Sequence, residues 1–167
     1  MWCWTDEEKA LLENWKRRCT IYQTMHQFAE FRYRKMHLGF AIPTIVLSAV
    51  TGTTAFSSMT QCNQTISWMV GVMGSLCTML ASMDSYFNPQ RMINMHHQAY
   101  VGYGKLINRI RRILVSTNPP DCKTEIHSIG NEYDRLLEQS EALPLICVQE
   151  WAKQWASTRN TNIISII

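Results

Sequence analysis

A long segment without charge constrains this chain more than any other feature of its sequence. From residue 36 to residue 83, 48 consecutive residues include no Asp, Glu, Lys or Arg. Two apolar segments, 38–56 and 66–83, lie within it and are joined by a short polar stretch. A helix needs about 20 mostly apolar residues to cross a hydrocarbon core of about 30 Å. The pattern therefore predicts a hairpin of two membrane-spanning helices, over about 38–57 and 66–86.

The alternative is a soluble bundle in which the same two helices form the core. A soluble helix of this length normally carries charged residues on the face that meets water. Neither apolar segment carries one, and charged residues make up only 17% of the chain, against about 25% in typical soluble domains. We therefore predict an all-α membrane protein with two spans.

The residues before the first span predict one long helix. Thr5 is followed three residues later by Glu8, a spacing typical of a capping box at the start of a helix. Apolar residues then recur at steps of three and four along one face. No helix breaker occurs before Pro43, where the missing backbone N–H is expected to kink the helix as it enters the first span.

The residues after the second span predict another long amphipathic helix. Asn88 and Pro89 suit the cap and the first position of a helix. A regular stripe of apolar residues then continues to about Ser116, and this stripe is suited to coiled-coil-like packing against the first helix. We therefore expect the long N- and C-terminal helices to pack together on the cytosolic side of the membrane.

The segment 117–121 contains two adjacent prolines, and it predicts the boundary of the membrane module. Residues 1–116 form the two-span helical module in this interpretation. Residues 117–167 form an extension, with a helix around 126–137, a last helix over about 145–155 and an apolar tail that ends in isoleucines. The extension is the part of the chain that we expect to contact a protein partner.

The distribution of basic residues predicts the orientation of the hairpin. Arg32, Arg34 and Lys35 precede the first span, further bases follow the second, and the connecting loop has none. The positive-inside rule then places both termini in the cytosol, or in its interior equivalent, and the loop outside. Asn63 begins a glycosylation sequon, but the loop is expected to lie too close to the bilayer for the sequon to be used.

Small residues at steps of three and four recur in both spans. Such spacing lets helix backbones approach closely, which is how spans associate without a hydrophobic drive between them. The contact could lie inside one hairpin or between hairpins, and we expect both, so that the chain forms a homo-oligomer. The residues concerned are Ser48, Gly52, Gly71, Gly74, Ser75, Thr78 and Ser82.

Charged residues next to the spans are the other candidates for function. Asp84 ends the second span, and an acid at this place lies at the membrane interface or lines a polar pathway. Lys105, Arg109, Arg111 and Arg112 form a cationic face that could contact lipid headgroups or another anionic partner. A solvated basic face explains them equally well. No groove-reading motif or aromatic platform accompanies these bases, which argues against a nucleic-acid partner.

The sequence offers no pattern typical of an enzyme. The six cysteines are scattered without metal-ligand spacing, and the ten methionines are better explained by flexible packing than by metal handling. His96 lies on the apolar stripe of its helix and is expected to be a packing residue. We therefore predict no catalytic residue, no metal site and no cofactor.

The order of these parts resembles the SLATT group of two-span membrane proteins over roughly residues 10 to 115. That resemblance implies an oligomeric, pore-forming effector that opens when an attached or neighbouring nucleotide-sensing system fires, although the sequence itself contains no recognisable sensor domain. The residues that carry it are Arg32-Tyr33-Arg34-Lys35 before the first span and Phe87, Pro89, His96, Ala99, Tyr103, Leu106 and Ile110 after the second.

A structural membrane anchor is the alternative function. Two-span proteins of similar size also occur in the inner membranes of large DNA viruses, where they tie lipid to the capsid. In that case the hairpin would only hold the chain in the bilayer, and residues 117–167 would grip a protein lattice. The sequence alone leaves both functions open.

Overall fold

The computed structural model describes residues 5–60, 64–116, 122–140, 142–145 and 148–153. The predicted loop around Asn63, the proline-containing stop at 117–121 and the isoleucine tail lie outside these residues. Within the described ranges the protein is helical and contains no strand, which confirms the all-helical prediction. The helices are α1 (Asp6–Thr60), α2 (Gln64–Phe87), α3 (Pro89–Val115) and α4 (Cys122–Gln139).

The start of α1 is fixed by the capping box that the sequence predicts. The backbone N–H of Thr5 donates to Glu8 Oε2 at 2.9 Å, and the backbone N–H of Glu8 donates to Thr5 Oγ1 at 3.2 Å. Two backbone donors that a helix start leaves without an intrahelical acceptor are thereby satisfied. From this cap α1 continues for 55 residues with Pro43 inside it, so the single long helix is confirmed, and the kink at Pro43 stays a prediction.

One residue, Asn88, separates α2 from α3. Its φ angle is 43°, a left-handed conformation that asparagine tolerates better than most residues. The N–H of Asn88 donates to the Asp84 carbonyl at 3.0 Å and closes α2, while its side-chain oxygen accepts from the N–H of Arg91 at 3.4 Å. Pro89 follows as the first residue of α3, where the absence of an N–H costs nothing. The predicted cap and first helical position are therefore confirmed.

The contacts divide the chain into two units. Unit 1 contains the described residues up to Phe31 and from Asn94 onward, and unit 2 contains Arg32–Ile93. Unit 1 thus combines the first part of α1 with most of α3, with α4, and with the helical residues 145 and 148–153. The predicted last helix is helical at those described positions.

Unit 1 has a hydrophobic core of its own. The stripe of α3 that the sequence indicated is buried at Tyr103, Leu106 and Ile110, all with no exposed surface. Leu12 of α1 and Ile129 of α4 are equally buried against it. All three helices therefore close around one apolar centre, and the predicted packing of α3 against α1 is observed in this unit.

Two glycines allow α4 to approach its neighbours in unit 1. A Cβ added at Gly102 of α3 would lie 2.6 Å from Leu136 Cδ2, and one added at Gly130 of α4 would lie 3.3 Å from the Trp15 ring. Trp15 in turn stacks on Tyr133 of α4 with ring centroids 6.2 Å apart. The absence of side chains at these positions leaves room for Leu136 and Trp15.

Unit 2 is an antiparallel pair made of the second part of α1 and of α2. His37 contacts Asp84, Phe40 stacks on Phe87, and Ser48 contacts Cys77. No side chain of α2 is buried. The most apolar 18-residue windows of the two helices have a mean hydropathy of 1.5 each, and none of their residues is buried inside the protein. Both helices are long and apolar enough to cross a membrane.

Replacing Ile110 with alanine is expected to destabilise the protein by about 2–4 kcal/mol, because it leaves a cavity where the three helices of unit 1 meet. Arg111→Ala is the matched control, since its neighbouring side chain is exposed and a surface change costs less than about 0.5 kcal/mol. Denaturant unfolding of the full chain measures both. An equal loss of unfolding free energy in the two variants would contradict the burial of Ile110 in this core.

Candidate functional site

Unit 2 presents a large apolar surface that the described chain leaves uncovered. Ile45 of α1 is 67% exposed and Trp68 of α2 is 71% exposed. Monomeric soluble proteins rarely expose contiguous apolar patches beyond a few hundred Å². Further large apolar side chains that are exposed in the same two segments are Leu38, Ile42, Val46, Val50, Met69, Val72, Leu76, Met79 and Met83.

Most of the hydroxyl groups with a described bond on these helices donate to their own backbone. Thr44 Oγ1 donates to the Phe40 carbonyl at 2.8 Å, and Thr51 Oγ1 donates to the Leu47 carbonyl at 2.7 Å. In α2, Ser75, Thr78 and Ser82 each donate to the carbonyl four residues earlier, at 2.7–2.9 Å. A hydroxyl bonded in this way needs no water for its proton. These hydroxyl groups therefore add little to the free-energy cost of placing the two helices in an apolar environment.

The seam between the two helices of unit 2 is not lined by the predicted small-residue rows. Larger side chains of α2, such as Met73, Cys77 and Leu80, are partly covered there. Among the predicted residues, Ser48 does contact the other helix, since its Oγ lies 3.7 Å from Cys77 Sγ. Ser75, by contrast, is exposed.

The glycines of these rows face open space. A Cβ added at Gly52, Gly71 or Gly74 would meet no atom within 4 Å beyond its own helix turn. Thr78 and Ser82 are exposed as well. Gly52 and Gly71 are exposed in the single chain, whereas Gly74 is partly covered on the side of α2 that carries Met73 and Cys77. Contact inside the hairpin therefore does not explain the small residues at positions 52 and 71.

A shallow groove on α2 follows the same surface. Its volume is about 480 Å³, and it is open to the outside along its length. The groove is lined by Gln64, Ser67, Trp68, Gly71, Val72 and Ser75.

Asp84 is paired with His37, a residue that the sequence did not single out. His37 Nδ1 lies 3.2 Å from Asp84 Oδ1, and each side chain is about one third exposed. An ionised carboxylate can only accept a hydrogen bond, so His37 Nδ1 carries the hydrogen. The pair joins the two helices at the end of unit 2 where α2 closes.

Aromatic residues mark both ends of α2. Trp68 lies near its start and Tyr86, which is 85% exposed, lies near its end. The two residues are 18 positions apart, which corresponds to about 27 Å along a helix. This spacing is close to the thickness of a hydrocarbon core, and tryptophan and tyrosine are enriched at the two interfaces that bound it.

Arg109 does not share the exposed position expected for the basic face. Its guanidinium donates to Glu125 Oε1 at 2.9 Å, to Glu132 Oε2 at 2.8 Å and to Ser128 Oγ at 3.0 Å. The hydrogen bond to Glu125 and the second carboxylate raise the pKa of Arg109. This side chain therefore fastens α3 to α4, and its charge is balanced inside unit 1.

The remaining bases of that face, Lys105, Arg111 and Arg112, are exposed. The acceptors of Arg109 on α4 are not among the sequence predictions, although their spacing could have indicated them. Glu125, Ser128 and Glu132 are spaced by three and four residues, which puts them on one face of a helix.

The described residues offer little that could hold a metal ion or act as a nucleophile. No group of three His, Cys, Asp or Glu side chains lies close enough to bind a metal within the described ranges. Cys19 is fully buried, and this burial raises the pKa of its thiol to about 11. A thiol that stays protonated at neutral pH is a poor nucleophile. The feature that sets this protein apart is thus the uncovered surface of unit 2.

Comparison with protein-family models, with curated proteins and with solved structures gave no match for this chain.

Arg109→Lys is expected to lower the free energy of unfolding by about 1 kcal/mol, because lysine keeps the charge but cannot bond three acceptors with a planar fork. Arg112→Lys is the matched control at an exposed position one turn away. Thermal unfolding of both variants at low and high salt measures the difference in their stability. A loss in Arg112→Lys as large as that in Arg109→Lys would rule out the role assigned to Arg109.

Proposed function

We propose that this chain is a non-enzymatic, two-pass integral membrane protein whose segments 38–57 and 66–86 cross the bilayer as a hairpin. The observation that carries the proposal is the uncovered apolar surface of unit 2. Side chains such as Ile45, Trp68 and Met79 are 62–71% exposed, and fully burying one such side chain contributes about 1.5–3 kcal/mol. Lipid provides that cover without any partner protein.

The hydrogen bonding of unit 2 also supports insertion. Backbone polar groups in a bilayer core have to be satisfied within the segment, which a helix achieves. The hydroxyl protons of Thr44, Thr51, Ser75, Thr78 and Ser82 are also bonded within their own helix. The charged residues begin at the ends of the spans, where side chains reach the headgroups.

The basic residues that flank the spans support an orientation with both termini in the cytosol or its interior equivalent. Arg34 and Lys35 precede the first span, and Arg91 follows the second. Trp68 would then lie at the outer interface and Tyr86 at the inner one. The His37–Asp84 pair would lie close to the inner interface as well, within reach of water.

We further propose that copies of the chain associate through the small-residue surface of α2 and form a pore or another membrane-perturbing assembly of the SLATT type. The open space at Gly71 and Gly74 would let a neighbouring helix approach closely, as small residues do between spans. In such an assembly the Thr78 and Ser82 row could line a lumen.

The leak of ions from liposomes that contain the purified chain tests the pore. Wild-type protein is expected to release a trapped dye or ion at a rate that rises steeply with protein density. Gly74→Leu is expected to reduce this leak at least tenfold, because the new side chain keeps neighbouring helices apart. Asp84→Asn is expected to reduce it less, since it removes the charge and weakens the pairing with His37.

Gly39→Leu is the matched control for Gly74→Leu. Gly39 is also exposed and open, and it lies nine residues before Ser48, which places it on roughly the opposite face of α1. The control is expected to leak like the wild type. A complete absence of leak at every density, in protein shown to be inserted, would refute the pore.

A membrane anchor that grips a protein lattice is the second candidate, and unit 1 favours it. This unit has a complete core and could present a folded surface to a partner without help from the hairpin. The stoichiometry of the chain in its native membrane separates the two functions. A closed ring of copies supports the pore, whereas isolated copies beneath a protein shell support the anchor.

A further inference from the structure

Two histidines face each other inside unit 1. His26 of α1 is 1% exposed and His96 of α3 has no exposed surface. Their Nδ1 atoms lie 3.0 Å apart, and the ring centroids are separated by 5.2 Å. The position of His96 on the apolar stripe predicts a packing residue, but no sequence pattern predicts that a second titratable group is its neighbour.

The contact between the two nitrogens limits how many protons the pair can hold. At 3.0 Å one Nδ1–H donates to the lone pair of the other Nδ1, so a single hydrogen occupies the contact. A second proton at this place would remove the acceptor and set two hydrogens against each other. It would also add a positive charge to a buried site, which is costly even for one ion.

The surroundings of the pair are mostly aromatic. The Tyr103 ring of α3 stacks on His26 at 5.8 Å, and its hydroxyl lies 3.5 Å from Ser140 Oγ after α4. Tyr22 of α1 stacks on the other side of the cluster, against Tyr103 at 5.6 Å. Glu30, one turn along α1 from His26, is bonded to His97 Nδ1 at 3.1 Å.

Cys19 and Tyr133 are the other titratable groups of the cluster, and neither carries charge at neutral pH. Both interact electrostatically with Tyr103, and burial raises the pKa of each. The pair therefore receives no compensating negative charge from Cys19 or from the tyrosines below the pH at which those groups ionise.

Burial, followed by the charge that His96 would carry, lowers the pKa of His26 from 6.5 to about 4. The unfolded chain binds a proton here near pH 6.5, while the folded protein resists it until a much lower pH. Between pH 4 and pH 6.5 the unfolded state thus binds more protons than the folded state does. The stability that depends on the neutral pair is complete above about pH 6.5 and is lost progressively as the pH falls towards 4.

We propose that the His26–His96 pair is an acid-sensitive latch. It holds α1 against α3 while a single hydrogen lies between the two Nδ1 atoms, and it releases them when acid places a hydrogen on both Nδ1 atoms. The latch lies wholly in unit 1, so it does not depend on whether unit 2 enters a membrane. Mild acid would loosen unit 1, whose residues precede and follow the spans in the chain, whichever function the hairpin serves.

Thermal unfolding of the full chain in detergent micelles, at pH 7.5 and pH 5, tests the latch. The midpoint of the wild type is expected to fall by about 4–8 °C between the two conditions, as the linkage for one such histidine requires. The double variant His26→Gln/His96→Gln replaces the pair with two amides that can bond each other without titrating. Its midpoint is expected to fall by less than half as much.

His97→Gln is the matched control, because His97 is exposed and bonded to Glu30 outside the pair. It removes one histidine and is expected to keep the full acid sensitivity of the wild type. Equal sensitivity in the control and in the double variant would overturn the latch, since the effect would then come from other groups.

A second measurement keeps the proposal testable if the double variant does not fold. Nitrogen-15 NMR of the histidine rings in the wild type reports the protonation of each ring directly, with the exposed His127 as a reference within the chain. Both rings of the pair are expected to remain neutral at pH 5.5 and to show one shared hydrogen. A doubly protonated ring at His26 or His96 at that pH, in folded protein, would refute the latch.

Discussion

The burial of apolar side chains is the constraint on which the rest of the structure depends, and the two units satisfy it differently. In unit 1, Leu12, Tyr103, Ile110 and Ile129 are covered by the helices of the chain itself. In unit 2 two helices of equal apolar character leave most of their side chains uncovered. Two helices enclose little volume, so the hairpin cannot bury its own surface. An apolar environment supplied from outside is the simplest source of that cover.

The polar groups of unit 2 agree with this account. The hydroxyl protons of Thr44, Thr51 and Ser75 are bonded to backbone carbonyls. The one carboxylate, Asp84, is paired with His37 at the end of the helix pair. In unit 1 the polar groups serve packing instead, as in the Arg109 contacts with α4. The same chain thus places its ion-pair network where water is near and omits charge where the apolar surface is exposed.

Local patterns made much of this fold predictable. The capping box at Thr5, the cap at Asn88 and the buried stripe of α3 through Tyr103 depend on residues close in sequence. The pairing of His37 with Asp84, or of His26 with His96, depends instead on the register between helices, 47 and 70 residues apart. The sequence also does not reveal which face of α2 turns toward α1. The small-residue spacing therefore predicts contacts both inside the hairpin and between hairpins, and it does not predict that Met73 and Leu80 are partly covered.

The depth of unit 2 in a lipid bilayer tests the central claim most directly. A spin-labelled amino acid placed in turn at residues 45, 69, 72 and 79, and at 111 as a water-exposed reference, reports its access to oxygen and to a water-soluble nickel chelate in liposomes. The account predicts that the first four labels are reached by oxygen and protected from the chelate, while residue 111 is open to the chelate. Equal access to the chelate at all five positions would contradict membrane insertion.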